Sequence, residues 1–488
     1  MKSRYILECF KFLVKEIRKN AVDSAAALYQ IRGLTGKRSG ARHMKSIMDE
    51  YTAKHTRSRA LFEEAREIFP SGVTHDTRRV KPFSIFVRSG SGARKWDVDG
   101  NEYICYVMGH GALILGHSHP LIVSAVCEQI HRGTHLGCNT ELELCWAGLV
   151  KRLMPSIEMI SFHSTGTEAT LMAIRLARAY TGKNKIVKFR DHFHGWHDYV
   201  IAESGKYSSA GIPEATSSTV MRLPAGEIKK VEELLRADHG IAGVILEPTG
   251  AGMGCLPLNP KFLLELREVT SRYGVLLIFD EVVTGFRLSP GGAQERFHVK
   301  PDLTTLGKIL GGGLPAGAVG GRREIIEKIS FHDDPEWNSS SRVSHPGTFN
   351  ANPLSAAAGV KCLELIEHGT VNSQADARAS SLKEGFNRIL NRGKIPGVAY
   401  GLASLLWVVF DTQYGKDGDI YSLPHQMIKQ SLNSEKAHRF KQALLNQGVD
   451  IMGTGEFIVS AVHGEKEIED TLDAFERALH AMKSEGLF

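Results

Sequence analysis

What most restricts the fold of this chain is a rhythm. From Ser58 onward, short apolar runs alternate with amphipathic stretches of helical period. Two of the runs, residues 242–246 and 275–279, contain no polar residue at all. A strand of that kind has both faces covered, which is the environment of a parallel sheet packed between helices. The alternation through the middle of the chain predicts an α/β fold. It would be built on a large, doubly wound, mainly parallel sheet, with a smaller α+β domain beside it.

Local signals divide the chain further. A helix over 61–68 is stopped by Phe69-Pro70-Ser71-Gly72. Residues 83–88 and 95–106 read as a strand meander turning at Asp99-Gly100. A helix starts near His119-Pro120. Strand 159–163, helix 168–180, strands 185–189 and 242–246, helix 260–273 and strand 275–279 follow. Beyond 353 come a long helix and a mixed tail that ends in helix 467–484. The expected divisions are a basic extension over 1–55, the first part of a small domain over 56–115, a large domain over 116–352 and the rest of the small domain over 353–488.

Charge excludes one class of function. The net charge is +6, yet residues 1–50 hold 11 Lys/Arg against 5 Asp/Glu, and the remaining residues hold 49 of each. The body is neutral, which speaks against nucleic acid as a partner. No apolar run reaches the roughly 18 residues of a membrane span, so no membrane partner is expected. Seven cysteines (Cys9, Cys105, Cys127, Cys138, Cys145, Cys255, Cys362) form an odd set without a C-x-x-C pair. That favours reduced thiols in a cytoplasmic protein. In the extension, Ile6, Leu7, Phe10, Leu13, Val14 and Ile17 fall at helical spacing among lysines and arginines. This reads as an accessory amphipathic segment, as sequence upstream of a true start at Met44 or Met48, or as part of a targeting signal.

Four local patterns carry chemistry. Ser164-Thr165-Gly166-Thr167-Glu168-Ala169 follows a strand and opens a helix. It is a seat for phosphate on free helix N–H groups, or an ordinary helix cap. Asp280 and Glu281 close the most apolar strand, where ligands of such sheets bind. A carboxylate there is a cap, a metal ligand or the partner of a cationic ligand. No metal is expected, because His192, His194 and His197 lack a carboxylate or thiol at a recognisable spacing. Lys308 follows Thr304-Thr305-Leu306-Gly307 and precedes Gly311-Gly312-Gly313. It is a surface lysine or a buried, nucleophilic amine. Finally, residues 345–353 (His-Pro-Gly-Thr-Phe-Asn-Ala-Asn-Pro) form a turn-rich loop, or merely a connector.

In this order the patterns resemble those of class III, fold-type I pyridoxal-phosphate enzymes, most closely the glutamate-1-semialdehyde aminomutase-like branch. The resemblance runs from about Arg57 to the C-terminus. It rests on S-T-G-T-E-A, F-H-G-W-H-D, L-E-P, F-D-E-V-V-T-G-F-R, T-T-L-G-K-I-L-G-G-G-L-P and G-T-F-N-A-N-P. It implies pyridoxal 5'-phosphate as cofactor, with Lys308 forming the Schiff base and moving protons. Asp280 would pair with the pyridine nitrogen. Val282 and Phe193 would flank the ring, and Glu247 would lie nearby. Thr165, Gly166 and Thr167 would hold the phosphate. Thr348 would reach the neighbouring subunit's phosphate, making the protein a homodimer with a shared active site.

The resemblance also places Arg78 on the substrate carboxylate, a geometry suited to a guanidinium fork. His75 stands where the aminomutases carry a small hydroxyl residue, and His110 where they carry Trp. Glu456 is a loose match to an acidic residue near the substrate amine. These departures change the pocket and leave the cofactor residues intact. The expected function is therefore amino-group transfer on a small carboxylate-bearing substrate by an aminotransferase of this branch. The alternative is glutamate-1-semialdehyde 2,1-aminomutase, in which the amino group shifts within one molecule. Decarboxylation or racemisation, and a silent protein with this fold, are more remote.

Overall fold

The apolar runs become the strands of one sheet. In chain order they are β1 (Met159–His163), β2 (Lys185–Phe189), β3 (Val220–Leu223), β4 (Ile241–Leu246), β5 (Leu276–Asp280), β6 (Leu303–Gly307) and β7 (Gly317–Gly321). Their spatial order is β1-β7-β6-β5-β4-β2-β3. Strands β6, β5, β4, β2 and β3 run parallel, with Gly243 opposite Leu276 and Leu246 opposite Phe279. Only β7 is antiparallel to its neighbours, β6 and β1.

In this computed structural model, residues 46–201, 210–412 and 419–488 are described. The amphipathic pattern over residues 6–17 lies outside them. Among the described residues, no helix is long and apolar enough to cross a membrane.

Both faces of the sheet are buried, as the unbroken apolar runs require. Val244, Leu246, Leu277 and Phe279 pack on one side against Phe262, Leu263 and Leu266 of helix Pro260–Arg272. The residues between them, Ile245 and Ile278, pack on the other side against Met172, Ala173 and Leu176 of helix Gly166–Thr181. Each such side chain contributes about 1.5–3 kcal/mol on burial. The class is therefore α/β with a mainly parallel, doubly wound sheet.

Two smaller sheets complete the fold. Val87–Ser91, Arg94–Asp97 and Glu102–Cys105 form a meander, and Val449–Asp450 adds to it in parallel beside Glu102–Cys105. The early and late parts of the chain thus share one sheet. Gly397–Leu402, Leu405–Phe410 and Glu456–Ile458 form the other.

Three details differ from the expectation. The first meander strand starts at Val87 rather than 83, because the Phe86 N–H donates to Ser58 Oγ at 3.2 Å and not to a neighbouring strand. The long helix after 353 is two, Pro353–Ile366 and Thr370–Gly393, parted at Gly369 with φ +73°. Packed structure also begins upstream of residue 56. Helix Ile47–Lys54 buries Tyr51, whose hydroxyl donates to the Phe83 carbonyl at 2.7 Å.

Candidate active site

The parallel strands end on one edge of the sheet, and the residues expected to act together gather there. Helix Gly166–Thr181 starts just past β1. Its cap is doubly held: the Glu168 N–H donates to Thr165 Oγ1 at 3.2 Å, and Glu168 Oε2 accepts from the N–H groups of Ser164 (2.7 Å) and Thr165 (3.0 Å). The first-turn N–H groups of Gly166 and Thr167 then point out of the helix. A Cβ on Gly166 would lie 2.8 Å from Val282 Cγ1, so glycine is what lets the helix start close on the residue after β5. The cap and the phosphate seat are compatible, since capping fixes the turn without occupying those two donors.

Asp280 ends β5, is buried, and is held at both oxygens. His194 Nδ1 lies 2.7 Å from Oδ2. Oδ1 accepts from the Val282 N–H and from Thr305 Oγ1, both at 3.1 Å. The three histidines that were candidates for a metal cluster therefore have separate tasks. His194 holds Asp280, His192 Nδ1 accepts from the Glu247 N–H at 3.0 Å, and His197 lies 3.3 Å from Thr170 Oγ1.

Glu247, just past β4, is buried and accepts three backbone N–H groups: Phe193 at 2.8 Å, Met253 at 2.9 Å and Gly252 at 3.1 Å. It ties the loop bearing Phe193 and His194 to the loop at 250–253. Burial still holds its carboxyl above the usual carboxylate range. Phe193 itself is 43% exposed.

Lys308 directly follows β6 with φ +50°, a left-handed conformation unusual for a side chain of this size. Burial pushes its amine below the ordinary lysine value, while Asp280, Glu247 and Glu456 pull it back up. A Cβ on Gly111 would lie 3.8 Å from Lys308 Cδ and 3.7 Å from Ile458 Cδ1, so Gly111 forms a wall beside the lysine. That wall is pinned by Arg287, buried at the end of the F-D-E-V-V-T-G-F-R motif. It donates to the carbonyls of Gly111 (2.8 Å) and Val459 (3.1 Å) and to Ser404 Oγ (3.0 Å).

Two acidic residues contribute beyond the motifs' plain reading. Glu281 is buried and structural, accepting from the N–H groups of Ala293 (2.6 Å) and Gln294 (3.2 Å). Glu456 is buried on the edge of the small three-stranded sheet. Its Oε1 has no hydrogen-bond partner, and burial raises its carboxyl well above the usual range against the pull of Lys308. The sequence marks Glu456 only as a loose match, because its position depends on which sheet its strand joins.

The residues proposed for substrate also converge. The rings of His75 and His110 lie 5.0 Å apart. Burial first, then His75, Arg78, Lys308 and Lys441, lowers the His110 imidazole to about 4. His110 and Arg78 line a cavity of about 420 Å³. Thr348, expected at a neighbouring subunit's phosphate, is exposed, and its carbonyl lies 2.7 Å from His135 Nε2.

A helix N-terminus for phosphate, a fixed carboxylate for a ring nitrogen and a buried amine at the end of a strand fit pyridoxal phosphate. Together with the sheet they define an enzyme of the fold-type I class. The Aminotransferase class-III family profile matches residues 76–479, and the chain belongs to that family. It is 40% identical to the glutamate-1-semialdehyde 2,1-aminomutase of Methanopyrus kandleri, over 88% of this chain and 98% of that protein. It is equally 40% identical to the enzyme of the same name from Ignicoccus hospitalis, over 87% and 99%. Among solved structures, an omega-transaminase from Sphaerobacter thermophilus shares 33% identity with a TM-score of 0.77, covering 87% of this chain and 98% of that one. A glutamate-1-semialdehyde-aminomutase from Pseudomonas aeruginosa, at 22% identity and TM-score 0.78, shares the fold over 89% and 97%.

Proposed function

We propose that this protein is a pyridoxal-phosphate enzyme that shifts the amino group of glutamate-1-semialdehyde within the molecule, as the relatives' name describes. The sequence patterns leaned towards an aminotransferase with separate donor and acceptor. The two relatives at 40% identity over nearly their whole length favour the aminomutase. The observation that carries the reading is the environment of Lys308, a buried amine influenced by Asp280, Glu247 and Glu456 and walled by Gly111. An amine whose protonated form is destabilised is suited to taking and returning a proton near neutral pH.

Each residue has a task in that reading. Bound pyridoxal phosphate supplies the electron sink that lets a proton leave the carbon bearing the amine. Thr165, Gly166 and Thr167 hold the phosphate. Val282 and Phe193 flank the ring. Asp280, kept in place by His194 and Thr305, faces the ring nitrogen. Lys308 carries the proton at Nζ. Glu456, whose burial favours the protonated carboxyl, lies close enough to act on Lys308. Arg78 binds the substrate carboxylate, with His75 and His110 beside it. A second copy of the chain contributes Thr348. Exposed Leu121, Val123, Ile130, Leu136, Leu144 and Phe349 support such an interface. A cytoplasmic location suits the free thiols at all six described cysteines.

A second reading, the omega-transaminase, draws on the 33% identical solved relative and on His110, which alters the wall between substrate and Lys308. Incubating cofactor-loaded protein with glutamate-1-semialdehyde and no acceptor separates the two. Conversion to the amino-shifted isomer is the expected result. Release of a keto product, with turnover only after an acceptor is added, would replace the aminomutase by the transaminase.

A further inference from the structure

One cavity carries more positive charge than the site described so far uses. The 420 Å³ space behind His110 is lined by Arg78, Lys95 and Lys441 and by a single carboxylate, Asp450. Lys95, on the meander, makes the close ion pair with Asp450. Lys441, on helix Glu435–Asn446, lies 3.7 Å from the other oxygen of Asp450 and donates to the Ile451 carbonyl at 2.8 Å. One carboxylate is thus shared between two largely buried ammonium groups.

Burial holds the Lys441 amine below its ordinary value in spite of Asp450. A cation in that position is costly until a second anion arrives. Arg78 lines the same cavity. It donates to Thr74 Oγ1 at 2.8 Å and retains further N–H groups of its fork. His110 belongs to both spaces. Its side chain lines the cavity, and the backbone that follows it, at Gly111, meets Lys308.

We propose that Lys441 and Arg78 together form a two-cation seat for a carboxylate at the end of the substrate remote from the reacting amine, making Lys441 a specificity-determining residue. The seat's role in selecting substrate rests on the reading that amino chemistry occurs at Lys308; its capacity to bind a carboxylate does not. The substrate class is an amino compound whose carboxylate is separated from the reacting carbon by a short chain. An amino acid with its only carboxylate on that carbon would leave the seat empty. The Lys95–Asp450 pair acts as the floor that keeps the Lys441 ammonium facing the cavity.

The test uses full-length protein without cofactor and two probes of equal length, pentanoate and pentanol, followed by ligand-observed NMR. The parent protein is expected to bind pentanoate in preference to pentanol. Lys441→Met is expected to weaken pentanoate binding by about tenfold or more, the scale of a charge-assisted hydrogen bond. Lys441→Arg should restore it to within a few-fold. Should the Met variant fail to fold, Lys441→Gln, which retains an N–H for the Ile451 carbonyl, makes the same comparison. In cofactor-loaded protein the Met change should raise KM for a carboxylate-bearing amine by a similar factor, with kcat within about twofold.

Failure of the parent to bind pentanoate overturns the proposal, as does an equal loss of both probes or an unchanged affinity in the Met or Gln variant. If the protein takes up no cofactor, the functional reading fails on its own, and the NMR comparison still decides the seat.

Discussion

The residues proposed to cradle the cofactor and those proposed to line the substrate mouth are built differently. The cradle comes from short motifs at the ends of sheet strands. Its key carboxylate, Asp280, is held at both oxygens by side-chain and backbone partners. The mouth is assembled from a 3-10 turn at Asp76–Arg78, a left-handed loop at 109–111, a helix at Lys441 and a small-sheet edge at Glu456. Two of its polar groups stand out: Arg78 is exposed, and Glu456 Oε1 is buried without a hydrogen-bond partner. A cradle whose carboxylate is held at both oxygens suits one fixed molecule. A mouth with spare donors and acceptors is where a class of enzymes with one cofactor changes what it accepts.

The sharpest way to break this contrast is at Lys308. Lys308→Ala should abolish turnover and the visible absorbance that the cofactor gains on attachment to the lysine; spectra of purified protein check both. Retained turnover would remove the cradle's central residue.

Next comes Asp280. Asp280→Ala should lower turnover by about 10²–10³-fold, the scale of losing a fixed electrostatic partner, while the cofactor still binds. Single-turnover rates measure it, and near-normal rates would reduce Asp280 to a structural carboxylate.

The smallest effect concerns stability at the mouth. The raised pKa of Glu456 means that the folded chain keeps a proton that the unfolded chain releases in the ordinary carboxyl range. The resulting stabilisation is complete below that range. It is lost as pH rises towards the folded-state value, with a limiting slope of about 1.4 kcal/mol per pH unit. Glu456→Gln should therefore flatten the fall in stability on the alkaline side. Denaturant midpoints of parent and variant across pH give the difference; parallel curves would mean that Glu456 is ionised in the folded protein.

Much of the cradle was legible in the chain because its residues lie next to the strand ends that apolar runs mark out. Strand 159–163 and the helix opening after Thr165 fall where periodicity puts them. Strand β7 was not legible. Its sequence, Gly-Ala-Val-Gly-Gly, has almost no β-branched content. The packing explains this, since a Cβ on Gly317 would run into the Thr165 carbonyl. His194 was visible as one of three histidines, yet its task was hidden, because contact with Asp280 requires the sheet to bring the two loops together. Lys441 was hidden, and Glu456 only loosely marked, for a stronger reason. Their neighbours are set by small sheets that join distant parts of the chain, and a sequence pattern carries no signal for that pairing.

Arg287 has a consequence for how the molecule assembles. Its guanidinium is fully buried, and its two terminal nitrogens donate to neutral acceptors from three other segments, Gly111, Ser404 and Val459. Until all three arrive, a bare cation would have to leave water without enough oxygens to receive it. The large sheet and the C-terminal strands therefore consolidate in one cooperative event. A fragment ending before Ser404 would keep the whole parallel sheet and still lack the step that locks it.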